Sequence, residues 1–210
     1  KTYDGTPLEN PGYTYTKGVL MEGDVLTAVV EGTITNVGEA GNVVKSYVVK
    51  RGEVDVTESY TFTESGKGTL TITKRDVEFK GETAEKKYTG AVQSITGITV
   101  TGLVQGSSAA EKGHTYEGLT YKAEGQNVGE YNGVFTGEKD IIIKDAAGKD
   151  VTGNYNIKTT PGKLTITNAQ FNVKFTGESA EKVYNGTEQS IDGITADGLL
   201  DGHTYSGLSY

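Results

Sequence analysis

Residues 76–103 read DVEFKGETAEKKYTGAVQSITGITVTGL, and residues 171–199 return as FNVKFTGESAEKVYNGTEQSIDGITADGL. Gly81 pairs with Gly177, Tyr88 with Tyr184, Ile98 with Ile194 and Leu103 with Leu199, each at an offset of 96. GHTYEGLTY at 113–121 then matches GHTYSGLSY at 202–210 at an offset of 89, because the later copy omits a seven-residue stretch equivalent to VQGSSAA. A more divergent copy precedes both. NVGEAGNVV at 36–44 answers NVGEYNGVF at 127–135, DVTESYTF at 55–62 answers DVTGNYNI at 150–157, and GKGTLTIT at 66–73 answers TPGKLTIT at 160–167. A repeat of roughly 90 residues is too long for a solenoid unit and suits a small β domain. The repeat boundaries divide the chain into a first module at 1–74 lacking its first strand, a complete module at 75–168, and a partial third at 169–210. The chain thus has the look of a window on a longer tandem array. A circularly shifted reading stays open, in which domains begin near the Tyr-x-Gly phrase and the opening strands of copy three complete copy two.

That phrase occurs in each copy, as KTYDGTPL, KKYTGAVQ and KVYNGTEQ around Tyr3, Tyr88 and Tyr184. A short polar residue followed by glycine is turn chemistry, so the phrase is expected to open a strand after a turn, with tyrosine as its apolar anchor. The rest of copy two reads as short strands separated by Gly, Asn and Asp: VEFKG, QSITGITV, HTYEGLTYKAEG, YNGVFTGE, DIIIK, NYNIK and KLTIT. Ile141, Ile142 and Ile143 predict a central strand buried on both faces. DAAGKD at 145–150 predicts a turn through Gly148. ETAEKKY and VQGSSAAEKG carry no full apolar stripe but allow a helical turn or short helix. The expected fold is therefore mostly β, in tandem small domains, with an immunoglobulin-like β-sandwich favoured. A β-grasp-like module with a short helix is the alternative. At both repeat junctions the apolar alternation changes phase, from Leu70 and Ile72 to Val77 and Phe79, and from Leu164 and Ile166 to Phe171, Val173 and Phe175. Such a change turns side chains to the opposite face, which predicts a bulge or a change of domain there.

With 28 acidic against 20 basic residues the net charge is −8, and no basic cluster is long enough to track a phosphate backbone, so nucleic acid is not an expected partner. No apolar run is long enough for a membrane-spanning helix. There is no cysteine, which removes disulfides, thiolate metal sites and a cysteine nucleophile. Only His114 and His203 are available for acid–base work. They hold the same place in GHTY, which reads as a duplicated turn-to-strand junction rather than a catalytic centre. DAAGKD lacks the further oxygen ligands of a calcium loop. A lysine–asparagine or lysine–aspartate crosslink would suit a mechanical module but is not visible in one dimension. No catalytic residue, cofactor or metal is expected. Tyrosine is the unusual excess, 13 against 5 phenylalanines. Exposed rings stack on sugars, so Tyr116, Tyr121, Tyr205 and Tyr210 are candidate ligand contacts, although half-buried strand tyrosines are the plainer use.

The recurrent Tyr-[Asp/Thr/Asn]-Gly resembles the YDG-type repeat modules. The NVG, D-V-T-x-[N/S]-Y and G-x-L-T-I-T phrases are similar to the related MBG-type modules, and together they cover essentially the whole chain. Thr89 and Asn185 depart from the aspartate of the strict phrase, and Ala91 from its threonine. The resemblance implies an extracellular bacterial protein, cell-surface, cell-wall-associated or secreted, in which the repeats serve as stalk or adhesive modules. Neighbouring modules of the same chain are then the expected partners. A module binding glycan or a host surface protein is the alternative, including one auxiliary to a secreted polysaccharide-processing enzyme.

Overall fold

The computed structural model describes residues 1–63, 66–106, 113–169 and 172–208. In copy one the strands are β1 (Asp24–Glu31), β2 (Gly38–Arg51), β3 (Val54–Asp55) and β4 (Gly68–Ile72). Copy two contributes β5 (Arg75–Gly81), β6 (Ala84–Lys87), β7 (Gln93–Ile95), β8 (Ile98–Thr101), β9 (Thr115–Glu117) and β10 (Thr120–Gly125). It continues with β11 (Gly129–Asn132), β12 (Val134–Thr136), β13 (Ile142–Lys144), β14 (Tyr155–Thr160) and β15 (Lys163–Thr167), and copy three adds β16 (Lys174–Gly177) and β17 (Ile194–Asp197). The protein is mostly β, arranged in several small sheets. Among the described residues the only helical elements are single 3₁₀ turns at Thr57–Ser59 and Thr152–Asn154.

Glycine explains why the strands are short. The expected runs are all present, but QSITGITV breaks at Gly97, HTYEGLTYKAEG at Gly118 and YNGVFTGE at Gly133. Packing divides the chain into two compact units, residues 1–79, 100–119 and 137–159 in one and 80–99, 120–136 and 160–210 in the other. This partition differs from the repeat boundaries, and copy two contributes to both.

In the first unit β2 pairs with β1, β3 and β4, and β9 with β13. The sheet β14-β5-β8 has most of its residues there too. Leu70 and Ile72 are buried on β4, Val77 and Phe79 on β5. The phase change between them is a change of sheet, since β4 pairs with β2 whereas β5 lies between β14 and β8. At the second junction Leu164 and Ile166 are buried on β15, while Val173 and Phe175 are exposed; Phe171 lies outside the described residues.

Two expectations are corrected. Ile141–Ile143 does not form a central strand. Among the described residues β13 forms a ladder with β9 alone, beside a single bridge from Lys144 to Asp150, and while Ile141 and Ile143 are buried, Ile142 is only half-buried. ETAEKKY is not helical: Ala84–Lys87 is β6, parallel to β15 in the register Leu164↔Ala84 to Thr167↔Lys87, and the Tyr88 N–H continues the ladder to the Thr167 carbonyl at 2.8 Å. A strand edge that offers backbone partners outweighs the weak helical propensity of a four-residue segment. The other helical candidate falls mostly on residues 107–112, outside the described ones.

The core of the second unit gathers Ile95, Tyr121, Ala123, Leu164 and Ile166, with Ala84, Tyr88, Ile98, Tyr131 and Phe135 packed against them. Tyr121 lies in a slot made by two glycines. A Cβ at Gly81 or at Gly133 would overlap its ring, and its hydroxyl donates to the Glu82 carbonyl at 2.8 Å. Replacing Gly133 by alanine is expected to overpack this slot and lower stability by about 1–3 kcal/mol, readable as a lower urea midpoint. Wild-type stability in G133A would contradict the slot.

Candidate functional site: a tyrosine and histidine joint between copies

The three Tyr-x-Gly phrases fold alike because the polar residue closes the same small turn. Asp4 Oδ1 accepts from the Thr6 N–H at 2.9 Å and from its hydroxyl at 2.8 Å, and Asn185 Oδ1 accepts from the Thr187 N–H at 3.0 Å and its hydroxyl at 2.8 Å. Thr89 makes the weaker version, its hydroxyl accepting from the Ala91 N–H at 3.4 Å. Gly5, Gly90 and Gly186 have φ of 81°, 80° and 80°, the left-handed region that a β-carbon disfavours. A side-chain clamp behind the turn also recurs. Gln93 Nε2 donates to the Lys87 carbonyl and Gln189 Nε2 to the Val183 carbonyl, both at 2.9 Å.

Each of the first two turns is set against the Gly-His phrase of the next copy. In the first unit Tyr3, 2 % exposed, packs on His114 with ring centroids 6.0 Å apart and on Tyr155 edge-on at 5.6 Å. In the second unit Tyr88 packs on His203 at 5.7 Å, with its hydroxyl 3.3 Å from Nε2. The glycine approaches the imidazole in both cases. A Cβ at Gly5 would sit 3.5 Å from His114 Nε2, and one at Gly90 would sit 3.2 Å from His203 Nε2.

The histidine end is built the same way each time. The His114 N–H donates to the Val104 carbonyl at 2.8 Å and the His203 N–H to the Leu200 carbonyl at 3.0 Å. In copy one the Asp24 N–H donates to the Met21 carbonyl at 3.1 Å, which identifies Asp24 as the counterpart of histidine. The tyrosine of D-V-T-x-x-Y closes the site. The Tyr155 hydroxyl lies 2.7 Å from His114 Nδ1 and accepts from the Val104 N–H at 3.2 Å. The Tyr60 hydroxyl donates to Asp24 Oδ2 at 2.5 Å and accepts from the Met21 N–H at 3.0 Å. The ladder register extends the correspondence. Leu26↔Val49 in copy one matches Tyr116↔Ile143 in copy two, which places Arg51 where copy two has Asp145. Copy one pairs an acid with a base, Arg51 Nε donating to Asp24 Oδ1 at 2.6 Å. Copy two puts an imidazole in place of the acid and a carboxylate, Asp145, in place of the base.

The D-V-T-x-x-Y phrase supplies its own scaffold. Asp55 and Asp150 each accept from the N–H two residues on at 2.9 Å. Thr57 and Thr152 use their hydroxyls to accept from the Val49 and Ile143 N–H groups at 2.9 and 2.8 Å. Copy two adds Asn154, which is buried. Its Oδ1 accepts from the Val37 N–H at 2.8 Å and its Nδ2 donates to Asn36 Oδ1 at 3.0 Å, so copy two also holds the N-V-G phrase of copy one.

The four tyrosines singled out from sequence occupy different surroundings. Tyr116 is half-buried with its ring edge-on to Phe79 at 4.8 Å, and Tyr205 is exposed and edge-on to Phe175 at 5.0 Å. Tyr121 is buried in the slot described above, and Tyr210 lies outside the described residues. Asp145 closes the DAAGKD turn by accepting from the Ala147 and Lys149 N–H groups, both at 2.9 Å, with Gly148 at φ 81°. Among the described residues no group of three or more His, Cys, Asp or Glu stands together as a metal site, and no helix is long and apolar enough to cross a membrane. Sequence reasoning missed Asp24, Tyr60, Asn154 and Tyr155. The spacing Gly-Asp in LMEGDV against Gly-His in LLDGHT was the available signal for Asp24.

Burial is the main influence on His114 and lowers its pKa, with Arg75 acting in the same direction and Asp145 opposing both. Burial likewise raises the hydroxyls of Tyr3 and Tyr155. The folded site therefore favours a neutral imidazole, with Nδ1 facing the Tyr155 hydroxyl. The unfolded chain binds a proton first, at about pH 6.5, so stability is full above that pH and falls as the pH drops toward the lower folded value. Urea midpoints measured between neutral and mildly acidic pH are expected to decline in the wild type and to flatten over that window in His114→Gln. No decline in the wild type would contradict the burial of the imidazole. No protein-family model, curated protein or solved structure matches the chain.

Proposed function

We propose that the chain is a non-enzymatic stalk segment of a bacterial cell-surface protein, built of tandem β repeats whose successive copies interleave, a Tyr-x-Gly phrase of one copy packing on the Gly-His phrase of the next within one compact unit. The observation that carries this reading is the recurrence of one contact at two successive places, Tyr3 with His114 and Tyr88 with His203. A contact repeated from copy to copy suits a structural role in a tandem array. The conserved geometry spends the histidine, the tyrosine of D-V-T-x-x-Y and the turn glycine on chain-to-chain contact. The resemblance to tandem surface repeats and the lack of cysteine suit an extracellular setting in which sheet packing and such joints hold the modules. The module fold within this proposal is a small β-sandwich.

Single-molecule pulling from the two ends tests the mechanical part. Successive unfolding peaks are expected, and Tyr3→Ala together with Tyr88→Ala should lower the peak forces. Smooth extension without peaks, or forces indifferent to both substitutions, would sink the stalk reading.

A further inference from the structure

The third Tyr-x-Gly phrase is folded like the other two, yet its ring stands open among the described residues. Its asparagine turn, its glycine at φ 80° and its Gln189 clamp are in place. Lys182 Nζ donates to the Ser190 carbonyl at 2.6 Å, as Lys86 Nζ does to the Ser94 carbonyl at 2.8 Å in copy two. Against that sameness the exposures diverge sharply. Tyr3 is 2 % exposed, whereas Tyr184 is 88 % and its neighbour Val183 is 89 % exposed. A large ring standing in solvent beside a turn already closed by its own hydrogen bonds has the exposure of a binding surface. Tyr184 also borders a depression of about 330 Å³ that reaches Ala180 and Ile191.

We infer that Val183–Thr187 is a docking surface whose occupant is the Gly-His-Thr-Tyr segment of a further repeat module joined in tandem. Two filled examples on the same chain identify the occupant: the equivalent turn of copy one takes the His114 segment, and that of copy two takes the His203 segment. Both histidines of this chain are already engaged, so the occupant is an additional module. It contributes an imidazole over the phenol ring and brings its Nε2 edge close to Gly186, as His203 Nε2 lies close to Gly90. This inference rests on the tandem-joint reading above.

The test compares the 210-residue chain with two lengthened ones. In the first, residues 122–168 are joined again after Tyr210, which completes copy three and supplies no new histidine. In the second, residues 122–210 are joined there, which adds a module bearing Gly-His-Thr-Tyr. Nitration of Tyr184 by tetranitromethane is followed by peptide mass spectrometry, with Tyr88 as the internal standard for a docked phrase. The expected result is a several-fold fall in Tyr184 nitration on going from the first extension to the second, to about the level of Tyr88. Changing the added module's histidine to alanine should restore reactivity. Equal nitration in both extensions while Tyr88 stays protected would overturn this inference and leave the joint reading standing. Full reactivity of Tyr88 as well would overturn the joint reading itself. Concentration-dependent protection of Tyr184 in the 210-residue chain alone would assign the surface to a second copy of the chain and also overturn the tandem occupant.

Discussion

The contact that ties successive copies together within each compact unit is the packing of a phenol ring against an imidazole from the next copy. A small β module without disulfides has little apolar surface to spare, and strand edges invite unplanned pairing. Within such a unit, packing one copy's turn on the next copy's Gly-His phrase gives a contact that is compact, partly polar and specific in position. A tyrosine ring supplies area and a hydroxyl at little cost in side-chain entropy. The turn glycine allows the backbone to close on the histidine. At His114 the hydroxyl of Tyr155 satisfies the ring nitrogen that burial would otherwise strand.

Copy one shows how the same position tolerates different chemistry. Asp24 with Arg51 replaces His114 with Asp145, while the closing tyrosine and the backbone hydrogen bond remain. The invariant part is thus the scaffold of D-V-T-x-x-Y, and the titratable pair is the adjustable part. Phe79 and Phe175 show the effect of neighbours on an identical local structure. Each meets a tyrosine edge, but Phe79 also lies on a strand flanked by β14 and β8 and is wholly buried, whereas Phe175 is exposed.

Local structure was largely legible in the amino acids. Turn chemistry located Gly5, Gly90, Gly148 and Gly186, and apolar alternation located the strands and a break between Ile72 and Val77, expected as a bulge or a change of domain and found as a change of sheet. The errors came where partners decide. Ala84–Lys87 is a strand because β15 runs beside it, and Ile142 is half-exposed on a strand whose one ladder among the described residues is with β9. The joint itself was illegible for the same reason: Tyr3 meets a residue 111 positions away, and Tyr88 one 115 positions away. No periodicity spans such separations, and the unequal offsets hide even the repetition of the contact. His114 was read as part of a duplicated turn, which it is, but its ring serves the preceding copy.

The most direct measurement is a double-mutant cycle on Tyr3 and His114, with each residue changed to alanine singly and together and stability followed by urea unfolding. A ring pair in contact should show a coupling energy of about 0.5–1.5 kcal/mol. Additive single effects, with no coupling between the two positions, would contradict the joint.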